Sequence, residues 1–386
     1  MLSPLLYLGF VAVTAGLAVA QFYFLPRNLG PAQFALAALA LSVIQGAQQF
    51  GDLGAHNASL RVSLPREERV RLRESALLLS TVVCLAGVVV GLGLGVAGVG
   101  FGYLAACACA TAWFLTPDKV HSSGAVQLGD ERAATRHNLV WQNAPKVGSV
   151  VGSFGGTALS TVLGALANAL LFYRPALPRL GAGRLLLSQA HLILPGLALS
   201  VSAFLMMWTD TYALSAVAGL ADAGQYQAVV RPLTGITYLY LPVISLIQAA
   251  HNAGLVRRER RLMMMGALMG VGGSLGVGLG LYLFGQSIWP AFTFPADVVL
   301  ACGAAAALAC ASAVVGGQLT LRGRQGVAAV NTLLGAGLLL VLSLVLIPGL
   351  GAVGAGLASA SAWALVVVCH SAALLWTPRP HVPGLS

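Results

Sequence analysis

Long apolar stretches separated by short polar gaps run the length of this chain. About 20 predominantly apolar residues make a helix long enough to cross the hydrocarbon core of a bilayer. The stretches predict twelve such spans, at 4–25, 32–55, 74–96, 100–120, 138–156, 158–174, 190–216, 224–250, 262–285, 296–321, 327–347 and 352–376. The gaps alternate in charge. Those after even-numbered spans hold Arg61, Arg66, Arg69, Arg71 and Arg73, then Lys119, Arg132 and Arg136, then Arg174, Arg179 and Arg184, then Arg257, Arg258, Arg260 and Arg261, then Arg322 and Arg324, with Arg379 after the last span. The gaps after odd-numbered spans hold only Arg27. Basic loops resist translocation and stay cytoplasmic, so both termini are expected inside. The pattern predicts an all-α integral membrane protein. It also singles out Arg27, Lys146 and Arg231, the three basic residues that break it.

The second half repeats the first. Gln33-Phe34, between spans one and two, aligns with Gln225-Tyr226, between spans seven and eight, at an offset of 192. Leu128 through Asn138 aligns with Leu321 through Asn331 at an offset of 193, and Gly164 through Asn168 with Ala355 through Ser359 at 191. A six-span repeat enters the membrane twice from the same side, so the copies are related by an axis along the membrane normal, as in transporters built of parallel repeats. We expect two six-helix bundles, 1–184 and 185–386, around a central cavity, rocking to give alternating access. The first span carries Ala18-Val19-Ala20, which looks like a signal-peptide cleavage site. It lacks a basic flank and its downstream sequence recurs, so it is expected to be a retained helix.

Composition narrows the function classes. The chain of 386 residues is 58% hydrophobic and 8% charged, with a mean hydropathy of +0.85. Water-soluble domains carry about 25% charged residues. The net charge of +10 is spread thinly over short loops, which argues against nucleic acid as a partner and for membrane lipids with anionic headgroups. All six cysteines fall inside spans and read as small core residues, with neither a disulfide framework nor a metal site. No cofactor is expected. No hydrolase, zinc-protease or nucleotide-binding motif occurs. The glycines of 91–95 and 270–280 lie within spans, where they allow close helix packing, so the chain is not expected to be an enzyme.

Polar residues at helical spacing mark faces turned from lipid. Span eight carries Gln227, Arg231, Thr234, Tyr238, Ser245, Gln248 and Asn252. Span five carries Asn138, Gln142, Lys146, Ser149 and Ser153, and span two carries Gln45, Gln48, Gln49 and Asp52. Singly, hydroxyls and amides are helix–helix glue. Whole stripes with a cation in each point to a hydrated cavity. Lys146 lies about 12 Å into its span, at 1.5 Å per residue. A charge at that depth costs roughly 2.5–3.5 kcal/mol on insertion scales, which asks for a functional reason. Pro145-Lys146 and Arg231-Pro232 place each cation at a potential kink. Few acids lie nearby, so Lys146, Arg231 and Arg27 are candidates for binding an anionic headgroup, phosphate above all. Gln45, Gln48, Asp52, Gln142, Gln227, Thr234, Tyr238 and Gln248 are candidate cavity-lining residues. Asp210 sits deep in span seven, at the depth of Arg231 if the hairpin turns near Leu220. It either pairs with that cation or carries a coupling proton.

Leu25 through Phe34, followed by a helix ending Asp52-Leu53-Gly54, resembles the start of the polysaccharide (O-antigen, Wzx-type) flippases. These belong to the superfamily of the MATE drug exporters and the lipid II flippase. Asp210 through Leu214 with Ala223 through Tyr226, and Ile347 through Ala355, are similar to that family's seventh-helix and eleven-to-twelve patterns. The resemblance implies a transporter in the bacterial inner membrane that flips a polyprenyl-pyrophosphate-linked oligosaccharide. It also implies a cationic cavity, onto which Lys146 and Arg231 map, and other glycan-assembly membrane proteins as partners. The chain lacks the two extra helices of the lipid II flippase. A multidrug or small-solute exporter of the same superfamily is the competing reading, and a membrane-embedded glycan polymerase or ligase a third. The short outer gaps leave an enzyme little chain from which to build a site.

Overall fold

The computed structural model describes residues 4–50, 66–113, 146–157, 159–163, 190–252, 256–322 and 324–376. Among the described residues there is no strand. In chain order the described helices are α1 (Pro4–Phe50), α2 (Arg66–Val96), α3 (Gly102–Trp113), α4 (146–153) and α5 (159–163), α6 (Ala190–Val217), α7 (Leu220–Asn252), α8 (Val256–Ile288), α9 (Ala296–Leu321) and α10 (Gln325–Trp376). Each of the twelve predicted spans overlaps one of these, spans two, four, five and six only in part within the described residues. Asp52, Asn138, Gln142 and Lys119 lie outside the described residues, as do the side chains of Gln48, Tyr238 and Gln248.

α1 and α10 each carry two predicted spans through a kink. Gly30 (φ 67, ψ 173) breaks α1 between Pro26 and Pro31. Gly351 (φ 54, ψ −130) breaks α10 after Pro348. Proline withholds a helix donor, and glycine alone enters these positive-φ regions freely. Gly98, Gly156 and Gly219 also have positive φ. All five glycines fall at junctions that follow odd-numbered spans. The junction between spans nine and ten is instead the segment Trp289–Pro295. There Trp289, Phe292 and Phe294 are buried, and the Gln225 amide donates to the Ala291 carbonyl (3.2 Å) and accepts from the Thr293 N–H (2.9 Å).

The chain divides into two compact units, Met1–Phe204 and Leu205–Ser386. In the first, Ala40, Ile44, Cys84, Ala108 and Ala112 form a core shared by α1, α2 and α3. A Cβ on Gly91 would lie 2.6 Å from the Ala106 backbone nitrogen, and one on Gly102 2.3 Å from the Gly95 nitrogen. The glycines of this hairpin therefore serve backbone-to-backbone packing. In the second unit, Met206, Ala336, Leu339, Ala358, Ala362 and Val366 form a core of α6 and α10.

α8 shows which solvent the surface meets. Its buried face is Gly266, Gly270, Ser274, Gly278, Leu281 and Gly285, while Leu268, Leu275, Leu279, Leu283 and Phe284 are exposed. Small residues inward and bulky apolar residues outward is the arrangement of a helix packed in lipid. Among the described residues, six helices are long and apolar enough to cross a membrane. The protein is a multi-pass all-α membrane protein.

Candidate functional site

The second unit contains a cavity of about 230 Å³ between α6, α7, α9 and α10. Its polar end is built by two adjacent helices. α6 supplies Trp208, Asp210 and Thr211; α7 supplies Tyr226, Gln227, Arg231 and Thr234. Asp210 is 4% exposed, so its carboxylate needs internal donors. One oxygen accepts from the Thr211 N–H (2.6 Å) and hydroxyl (3.2 Å). The other accepts from the Tyr226 hydroxyl (2.5 Å), against which the Cys302 thiol of α9 also sits.

A chain of hydrogen bonds runs on from this carboxylate to the cation. Gln227 Nε2 donates to Thr211 Oγ1 (2.5 Å). Arg231 Nε donates to Gln227 Oε1 (2.7 Å), and its guanidinium lies 4.0 Å over the Trp208 ring. Every bond donates in one sense, from guanidinium to amide to hydroxyl to carboxylate, so the bonds polarise one another in the same direction. The Trp208 face adds a cation–π attraction. Thr234 also lines the cavity, with its hydroxyl donating to the Arg231 carbonyl (3.0 Å).

The expected common depth of Asp210 and Arg231 needs correction. The hairpin turns at Gly219 (φ 97), before Leu220. Hydrogen bonds put Asp210 level with Tyr226, and Thr211 with Gln227, both pairs 16 residues apart. Arg231 lies one helical turn farther in and meets the carboxylate through Gln227, its own i−4 neighbour. Sequence reasoning did not place Trp208, Thr211, Tyr226 or Cys302 in the site. Counting outward from Gly219 puts Thr211 opposite Gln227 and would have found Thr211, but not Tyr226. Only packing of α9 against α7 reveals Cys302.

The other candidates belong to the first unit. Lys146 heads the described part of α4 and is 7% exposed. The serines of its stripe do not line open space. Ser149 accepts from the Gln21 amide (2.9 Å) and Ser153 from Asn28 (2.8 Å), so they clamp α4 to α1. Two complementary polar stripes met, and the helices joined. Arg27 is exposed and bound within its own helix, donating to the Tyr23 hydroxyl with its guanidinium 5.5 Å from that ring. Gln45 is half-buried in α1.

Several solved structures that match this chain are transporters. The lipid II flippase MurJ in an inward closed conformation superposes with a TM-score of 0.75 at 11% identity, over 97% of this chain and 88% of that one. The chain has the MOP-superfamily fold. The MATE multidrug transporter DinF-BH matches with a TM-score of 0.65 at 20% identity, over 97% and 96% of the two chains. A MOP-superfamily transporter from Pyrococcus furiosus, described as having a binding pocket of reversed polarity, matches with a TM-score of 0.59 at 13% identity, over 95% and 93%. No protein-family model matches the chain, and no curated protein does. At these identities the likeness speaks for the MOP fold, and the substrate has to be argued from this chain's own residues.

Proposed function

We propose that this chain is a transporter of the bacterial inner membrane. By alternating access it flips a polyprenyl-pyrophosphate-linked oligosaccharide to the outer leaflet for cell-surface polysaccharide assembly, with both termini cytoplasmic and other glycan-assembly membrane proteins nearby. The observation that carries this reading is the Arg231 guanidinium, held at one end of an intramembrane cavity by Gln227 and Trp208. A cation kept at that cost suits an anionic substrate, and a guanidinium suits phosphate. Lys146, a buried cation of the first unit, and Arg27 are further candidates for contact with the anionic substrate. The test is flipping of a defined lipid-linked oligosaccharide in proteoliposomes. Arg231→Ala and Lys146→Ala abolish flipping while the protein inserts and folds normally. Lys146→Arg restores part of it, because the charge is kept and the compact ammonium is not. Full flipping by the double alanine variant refutes the reading.

A multidrug or small-solute exporter is the second reading. The mostly apolar wall of the cavity, with Trp363 on it, supports it, as does the likeness to MATE transporters. Efflux of lipophilic cations without any flipping of lipid-linked sugar decides for it. Asp210 has two roles open to it. If it serves to balance Arg231, Asp210→Asn destabilises the fold. If it carries a coupling proton, the variant folds well and transport loses its dependence on the proton gradient.

A further inference from the structure

We infer that the cavity of the second unit holds the lipid end of the substrate: the first isoprenoid carbons of a prenyl carrier, with their phosphate at Arg231. This rests on the flippase reading for the source of the ligand. The chemistry is read from the cavity itself.

Size excludes the glycan. The cavity measures about 230 Å³, whereas pockets for drug-sized ligands span roughly 300–1,000 Å³. A dry protein cavity of about 150 Å³ takes one benzene, so this one takes an apolar segment of about nine carbons, close to two isoprene units. The wall disfavours the glycan as well. Away from the hydrogen-bonded cluster it is mostly apolar, made by Met206, Leu233, Ala305, Ala306, Ala309 and Trp363, with the Ser359 hydroxyl beside them. One hydroxyl cannot pair the many of a sugar, and burying hydroxyls unpaired is costly. The amides and hydroxyls at the polar end are engaged with one another, in the chain from Gln227 to Thr211 to Asp210.

The room exists because of α9. Cys302, Ala305, Ala306, Ala309, Cys310 and Ala313 recur at steps of three and four on the face turned to the cavity. On α6, Met206 and Met207 stand opposite, flexible thioethers that adapt to an irregular chain. The ligand so described has a compact anionic end and a short apolar segment attached to it. A prenyl phosphate has both. Selection then acts on the carrier lipid, and the sugars beyond the phosphate are not read in this cavity.

The test uses the full chain in nanodiscs and radiolabelled farnesyl phosphate as the probe, with inorganic pyrophosphate as the tail-less ligand. Ala309→Phe fills the apolar end; Ala309→Ser leaves its volume nearly unchanged. We expect Ala309→Phe to weaken farnesyl phosphate at least about tenfold and leave pyrophosphate unaffected, while Ala309→Ser binds both as the parent does. Unchanged farnesyl phosphate binding in Ala309→Phe overturns the assignment, and so does an equal loss of both ligands. Flipping in proteoliposomes separates this from the broader reading. If Ala309→Phe flips lipid-linked oligosaccharide as well as the parent, the tail site falls and the flippase stands. If the parent binds farnesyl phosphate through Ala309 and flips nothing, the flippase reading falls and the site stands.

Discussion

Replacing Gln227 by leucine cuts the path between Arg231 and Asp210 at its centre. Gln227 is 1% exposed, so solvent cannot take over its bonds. The variant loses a bond to a charged donor, from Arg231 Nε (2.7 Å), and one between neutral groups, to Thr211 Oγ1 (2.5 Å). Net values are about 1.5–3 kcal/mol for the first kind and about 0.5–1.5 kcal/mol for the second. Gln227→Leu is therefore expected to destabilise by about 2–4.5 kcal/mol. Arg231→Met loses the same charged bond and the cation–π contact with Trp208. In the double variant the shared bond is lost once, so its cost falls short of the sum of the singles by about 1.5–3 kcal/mol. Equilibrium unfolding in mixed micelles, followed by tryptophan fluorescence, measures all corners of the cycle. Additivity within about 0.5 kcal/mol refutes the relay: Arg231 would then owe nothing to Gln227.

A reporter active only outside the cytoplasm is expected to be active when fused after Ala221 or Phe292 and silent after Arg179 or Arg258; reversal at any site breaks the topology. Gly30→Ala meets nothing within 4 Å, yet φ 67 and ψ 173 belong to glycine, so a loss of about 1–3 kcal/mol in the same unfolding assay isolates backbone strain. Gly93→Ala, in open space within α2, is the control and is expected to stabilise by up to about 1 kcal/mol. Gln225→Ala removes both bonds to the Trp289–Pro295 segment and is expected to speed amide exchange at Thr293; unchanged exchange means the clasp contributes nothing there.

The elements were legible because lipid imposes a simple rule. Apolar length and the side of the basic gaps depend only on sequence, and the helices overlap the predicted spans. The breaks within α1 and α10 were legible too, since Asn28-Leu29-Gly30-Pro31 and Pro348-Gly349-Leu350-Gly351 are breakers inside apolar runs. The site was less so, for two physical reasons. A polar stripe on one helix does not say what faces it. Ser149 and Ser153 met the amides of Gln21 and Asn28 and became a clamp, while Gln227 and Arg231 met Thr211 and Trp208 beside an open cavity. The two outcomes have the same sequence pattern. What separates them is the volume of the third helix at that level, and alanine at 305, 306 and 309 of α9 leaves space where larger residues would have closed it. Hairpin depth is the second reason. Moving the turn from Leu220 to Gly219 shifts the residue counted opposite Asp210 by two, from 230 to 228, and its hydrogen-bond partner Tyr226 lies two residues nearer the turn still. A one-residue error at a hairpin tip doubles across the hairpin, so depth pairing by count is good only to about half a helical turn, even where a glycine marks the turn, as Gly219 does here.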